Sequence, residues 1–264
     1  MANFRVITSL VSYSPSATSE NATYPATNLN LYGHLLRPWK AAVQSAQVDV
    51  TLDFGAGNTL TGLAADPGIF FDDVNVSSAS LQGDTVTTSW GSPAWNQSIS
   101  FQQDPWVRRR KGFFRLADLS VSVFSYRYLN LRIPIQGGTD SGVYRIGRIG
   151  VGAITEILAQ PLYPVQRKVI DPVQVTEFLD GGFEPVELGS RRFELELTRE
   201  MVGSAELNEE LTIQAVTRGT PFIVWDSELA GTQYAWMFRR SSDPVIDQTI
   251  LDFYRDRWTL REII

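Results

Sequence analysis

The chain has 264 residues, 43% hydrophobic, 20% charged and 11% aromatic, with a formal net charge of −6. That is a globular composition, long enough for one large β domain or two smaller ones. Without cysteine there is no disulfide framework, thiolate metal site or cysteine catalysis; the single histidine, His34, rules out chemistry needing two imidazoles, and the acidic balance opposes non-specific nucleic-acid binding.

The segment Met1 to Ile7 lacks a basic stretch followed by a long apolar one, so no signal peptide is expected. No run approaches the roughly 18 apolar residues of a membrane helix. The first fifty residues, rich in Ser, Thr, Asn and Ala, read as extended segments and loops. Val48 to Phe54 then alternates apolar and polar, and ends at the turn Gly55-Ala56-Gly57-Asn58. Short strands are expected at 74–76, 85–87, 99–101 and 113–116. Leu129, Leu131 and Ile133 alternate with Asn130 and Arg132, the period of a strand buried on one face. Pro134 limits that strand, and Gly137 to Gly142 is turn chemistry. In Tyr144 to Gly152 the apolar phase changes between Ile146 and Ile149, as a bulge at Gly147 would produce. These elements predict a jelly-roll β-sandwich over residues 1–157.

Gln160 to Pro164, with two prolines in five residues, reads as a linker. Beyond it, over 158–264, Phe193, Leu195 and Leu197 alternate with Glu194, Glu196 and Thr198. A helix is expected over 204–218, capped by Ser204, with Leu207, Leu211 and Ala215 on one face and Arg218-Gly219 closing it. Phe222-Ile223-Val224-Trp225 is apolar throughout, so burial on both faces is expected. Strands through Tyr234–Phe238, 250–254 and Trp258–Leu260 complete a second, mainly β module.

Several residues invite a site. Arg108, Arg109, Arg110 and Lys111 follow Trp106, and arginine forks grip oxyanions in pairs, so a phosphate or an acidic partner is one reading. A solvated loop or a charged rim at a subunit contact is the other. Trp90, Trp95 and Trp106 crowd one region with Asn96 and Gln97; they could stack on sugar rings, anchor an interface or fill the core. Asp66, Asp72 and Asp73 lack the spaced acidic loop of a calcium site. His34 sits among apolar neighbours, and no nucleophile elbow or phosphate loop appears. No enzyme activity, metal or cofactor is expected.

Tyr24-Pro25-Ala26-Thr27-Asn28-Leu29, then Trp39, then a strand ending Asp53-Phe54-Gly55 resembles the opening of galactose-binding-like, discoidin-type jelly rolls. The pairing of Tyr128-Leu129-Asn130-Leu131 with Tyr144-Arg145-Ile146-Gly147-Arg148-Ile149 is similar to minor tail proteins of tailed bacteriophages. The order of Phe193-Glu194-Leu195, a short helix, Pro221 to Asp226 and Trp258 to Ile263 resembles their C-terminal half. One departure is Asp66-Pro67, where related sequences often carry asparagine. The resemblance implies a tail-tip or baseplate component: a jelly roll followed by a tube-like β-sandwich with one helix. It further implies a homo-oligomeric ring in the virion, assembled in the host cytoplasm and joining tail tube to hub or receptor-binding parts. Of the 23 basic residues only Lys40, Lys111 and Lys168 are lysines, a bias that suits protein contacts. A carbohydrate-binding module for host attachment is the alternative. Neither membrane insertion nor sequence-specific nucleic-acid binding is expected.

Overall fold

The computed structural model describes residues 4–30, 37–42, 46–87, 90–107, 109–119, 125–135, 143–158, 161–170, 173–177, 183–187, 192–226, 232–240, 245–250 and 252–263. His34, Arg108 and the 137–142 turn lie outside them. Among the described residues no helix is long and apolar enough to cross a membrane. The chain is mainly β, as its alternating patterns predict.

The N-terminal sandwich pairs a five-stranded antiparallel sheet, in the spatial order 14–17, 48–53, 128–133, 78–84 and 95–100, with a four-stranded one, 148–153, 67–72, 110–115 and 102–103. Sequence order interleaves the two sheets, which is the jelly-roll arrangement. Val48, Val50 and Leu52 from one strand, and Leu129, Leu131 and Ile133 from its neighbour, point into a core shared with Ile69, Phe71, Ile149 and Val151. The phase change at Gly147 is a change of sheet. Arg145–Ile146 pairs with Trp39–Lys40, whereas Arg148–Ala153 pairs with Pro67–Asp72, and Gly147 N–H donates to Asp72 O between them. The expected strand at 85–87 is instead the turn after Ser78–Asp84, held by Asp84, which accepts the amides of Thr85 and Val86. Residues 74–76 are likewise not a strand.

The C-terminal sheet runs in the order 155–156, 4–7, 222–226, 235–240, 253–262, 192–202 and 161–170, with 245–250 pairing residues 253–257 on the flank that 235–240 occupies at 260–262. Phe4–Ile7 and Thr155–Glu156 come from the N-terminal side of residue 157, so this sheet is built from both parts of the chain. The first fifty residues, read as extended segments and loops, contain the strand Phe4–Ile7, whose place in this second sheet the sequence did not indicate. Its partner Phe222–Asp226 is apolar on both faces because both are covered. Phe222 and Val224 join a core with Trp236, Phe238, Trp258 and Leu260. Ile223 packs with Phe70 and Phe113 of the sandwich.

The proline-rich 160–164 stretch is no linker: Pro161–Ile170 is a strand at the sheet's edge, where a missing amide donor interrupts no ladder on the outer side. The helix spans Gly203–Thr217, and its N-terminus is not capped by Ser204. Instead, the Val202 N–H donates to Glu206 Oε2 at 2.6 Å. Gly219, at φ 73°, closes the far end as predicted. The apolar face is inverted as well. Glu210, Ile213 and Thr217 are buried, while Leu211 and Ala215 face outward, Leu211 at 47% exposure.

Candidate functional site

The basic run does not form an open oxyanion grip. Arg110–Arg115 is a strand of the sandwich, and Trp106 and Val107 ahead of it pack on the second core. Asp104 sets the loop, since its Oδ1 accepts from Trp106 N–H at 2.8 Å and Val107 N–H at 3.1 Å. Its Oδ2 accepts from Trp236 Nε1 at 2.8 Å and lies 3.3 Å from Lys111 Nζ. Lys111 Nζ donates to Glu262 Oε1 at 2.9 Å, and Arg109 reaches the same oxygen at 2.5 Å. Glu262 Oε2 accepts from Phe193 N–H at 2.9 Å. Arg148 donates to Asp72 at 2.6 Å and to Ile263 O at 2.6 Å.

The cations Arg109, Lys111 and Arg148 thus balance the anions Asp72, Asp104 and Glu262. Five of the six side chains are wholly inaccessible and Arg109 is 11% exposed. Burial alone would raise the Asp72 carboxyl. Arg109, Lys111 and Arg148 outweigh it and hold that carboxyl well below the usual range. Burial opposes charge on Arg109 too, but Glu262, Asp72 and Asp73 raise its pKa further. Every member has a charged partner, so this is structural glue joining sandwich to C-terminal sheet.

Arg110 is half-buried and donates to Asn75 O at 3.5 Å. The three tryptophans do not share a platform. Trp90 is buried at 8% exposure, Trp95 packs on the sandwich core, and Trp106 lies against Phe193, Tyr234 and Trp236 of the other core. Hydrophobic burial claims them because each flanks a core edge. The aspartates are also committed internally: Asp66 to Arg115, Asp72 to Arg148 and Asp73 to Arg145. Burial raises the Asp73 carboxyl even with Arg145 beside it.

A second buried cluster fixes the helix. Arg199 pairs with Glu210 and, at 2.9 Å, with Asp256; Trp258 Nε1 donates to Glu210 at 3.0 Å and to Asp256 at 2.8 Å. Arg199 and Arg240 lie 4.2 and 4.4 Å from the Trp258 ring centre. Burial, against the pull of Asp256, lowers the Arg240 pKa to about 10. The helix therefore turns its charged side inward, which the spacing of its leucines did not reveal.

Two surfaces remain outward. The outer face of the five-stranded sheet is polar. Asn130 donates to Asp49 at 2.8 Å and Gln82 at 2.9 Å, Thr51 donates to Asn130 at 3.2 Å, and Arg132 grips Asp49. The C-terminal sheet ends at 155–156 and at 161–170, and 245–250 branches from 253–257. Pro161–Ile170 and Val245–Ile250 each pair on one side only among the described residues. Sequence reading missed the junction cluster, although one signal was present: Arg148 inside the buried run Ile146 to Val151 requires an internal anion.

No family model matches the chain, and no curated protein matches it. Among solved structures it is similar to chitosan-binding module 1 of a chitosanase/glucanase from Paenibacillus sp. IK-5, at 13% identity and TM-score 0.38, over 55% of this chain and 97% of that one. XRCC1 bound to the DNA polymerase β catalytic domain gives 16% identity and TM-score 0.38, over 56% and 98%. A Ruminococcus gnavus GH29 fucosidase gives 13% and 0.37, over 54% and 25%. At these values the likeness carries neither ligand nor partner to this chain.

Proposed function

We propose that this chain is a structural component of a bacteriophage tail tip or baseplate, forming a ring in the virion and linking tail tube to hub or receptor-binding proteins. The observation that carries the assembly reading is the C-terminal sheet, which ends in a ten-residue strand, 161–170, and carries a six-residue side strand, 245–250, that pairs on one side only among the described residues. Unpaired edges recruit further strands, and heterologous contacts between identical subunits close into rings. The buried junction cluster supports this role by tying sandwich to C-terminal sheet, so that load can pass between them. The place in a tail comes from the sequence resemblance. Light scattering across a concentration series, followed by electron microscopy, tests the reading. A closed species of fixed copy number is expected, and a monomer at every concentration, alone and with tail-tube protein, counts against it.

A second reading, carbohydrate binding for host attachment, is favoured by the sandwich's outer face. There Arg132 lies across from Ser80 with Ser98 beyond it, Asn130 across from Gln82 with Asn96 beyond it, and Tyr128 across from Asp84, hydroxyl, amide and aromatic groups suited to sugars. A glycan array with Tyr128→Ala as control separates the two readings.

A further inference from the structure

We propose that copies of this chain join head to tail by antiparallel pairing of the strand Pro161–Ile170 of one copy with Val245–Ile250 of the next, Lys168 lying opposite Asp247. The inference rests on the assembly reading and names its contact.

Strand direction is the first argument. Within one copy the strands 161–170, 192–202, 253–262 and 245–250 are neighbours in that order, and each is antiparallel to the next. The outer two therefore run in opposite directions. Lys168 lies level with Arg261 and Asp247 level with Arg255, six positions along the same strand, so rotation about an axis inclined to the strands brings the next copy's 161–170 strand beside 245–250 in antiparallel sense with that stagger.

Charge is the second. On the outward face, exposed Lys168 sits across from Glu194. Glu194, Glu196 and Glu200 form an acidic column, Arg255, Arg257 and Arg261 a basic one, and exposed Asp247 sits across from Arg255. Taken strand by strand rather than along one row, the signs of 161–170, 192–202, 253–262 and 245–250 are plus, minus, plus, minus; Lys168 shares its row with Glu194 and Arg261, and Asp247 shares its row with Arg255 and Glu200. A copy ends basic on one edge and acidic on the other, and pairing Lys168 with Asp247 continues the alternation.

Register is the third. With Lys168 opposite Asp247, antiparallel pairing sets Val169 beside Ile246 and Arg167 beside Gln248. Val169 and Ile246 are half-buried and lie on the inner side of the sheet, as their neighbours Phe193 and Asp256 do. In sequence the alignment runs on with position Ile170 against Val245 and Val165 against Ile250. A one-residue slip puts Lys168 and Asp247 on opposite faces. A two-residue slip leaves Lys168 without a carboxylate opposite, and parallel pairing sets Val169 beside Gln248. Pro161 and Pro164 lack amide donors, and the register that sets the six residues 165–170 against the six of 245–250 leaves both prolines outside the new ladder.

The chain has no cysteine, so introduced thiols are the only ones. Lys168→Cys and Asp247→Cys change exposed positions, and far-UV circular dichroism with thermal unfolding checks that both variants stay folded. Cross-strand Cα separations of about 4.5–5.5 Å fall within disulfide reach. Oxidation of the mixed variants should give a disulfide-linked heterodimer, the double variant a ladder of covalent oligomers, and either single variant alone essentially none. Lys168→Asp should abolish assembly, and Lys168→Asp combined with Asp247→Lys should restore it. If the unaltered chain assembles but the mixed thiols do not link, or a single variant links to itself, this contact is overturned while the assembly reading stands. If the unaltered chain is monomeric throughout and nothing links, both fail.

Discussion

The two buried ion clusters use the same residue types for different jobs. At the junction, Arg109, Lys111 and Arg148 come from the sandwich, and Glu262 from the last strand of the C-terminal sheet, so the ions span separate layers. Under the helix, Arg199, Glu210 and Asp256 tie one element to the strands on which it lies. In the first case apolar packing already exists on both sides of the seam, and the ions fix alignment. In the second, the ions stand in for apolar contact, because the helix sends only Ile213 deep into the core and leaves Leu211 and Val216 outside. Buried ions therefore specify geometry here more than they add net stability.

The largest expected effect comes from breaking the junction. Glu262→Ala removes the acceptor shared by Arg109, Lys111 and the Phe193 amide, leaving Lys111 with Asp104 at 3.3 Å and Arg109 with Asp72 at 3.7 Å, and two cations short of an anion in a closed seam. Such a loss should cost about 3–5 kcal/mol, read as a lowered urea midpoint. Glu210→Ala is the counterpart under the helix. Arg199 keeps Asp256 there and Arg240 is only partly buried, so the loss should sit near the lower end, at about 3 kcal/mol. Equal losses would mean that the two clusters are not distinct in kind.

Next comes the seam between the N-terminal strand and the sandwich. A Cβ at Gly152 would lie 2.4 Å from Ser9 O and 2.4 Å from Ile7 Cγ2. The backbone oxygen cannot swing aside, so Gly152→Ala should cost about 1–3 kcal/mol in the same unfolding measurement.

The same contrast explains what the sequence could show. Alternation at 48–53, 128–133 and 192–202 declared the strands, since burial of one sheet face imposes period two. Non-local partners were invisible. Nothing in Phe4 to Ile7 reveals that it pairs with Ile223 and its neighbours more than two hundred residues away. The helix misled for a definite reason: leucine spacing predicts an inward apolar face, but Arg199 and Asp256 demanded a carboxylate and turned Glu210 inward instead. The arginine run was visible as charge, yet its burial depended on Glu262 and Asp72, which only the fold brings near.

Acid should act on the junction first. The Asp72 carboxyl has a folded pKa below its unfolded value of about 3.9. Its contribution is therefore complete above pH about 4 and is lost as pH falls through the lower folded value. Asp73, raised by burial, works in the opposite sense and gains stability as it protonates. Wild type should thus lose stability in the acid limb below pH about 4, and Asp72→Asn, already weakened at neutral pH, should show a flatter limb in pH-dependent urea unfolding.

The smallest effect should fall on the helix's outer side, and it sharpens the comparison most. Ile213 is 4% exposed and Leu211 is 47% exposed, two residues apart on one helix. Ile213→Ala empties part of a packed core and should cost about 2–4 kcal/mol. Leu211→Ser removes a side chain already half in water and should shift stability by no more than about 0.5 kcal/mol in the isolated protein. If Leu211→Ser proves as costly as Ile213→Ala, the helix is seated on its leucines, and the Arg199–Glu210–Asp256 cluster is not what orients it. A near-zero cost for Leu211→Ser beside a large one for Glu210→Ala would establish that the inward face was chosen by charge.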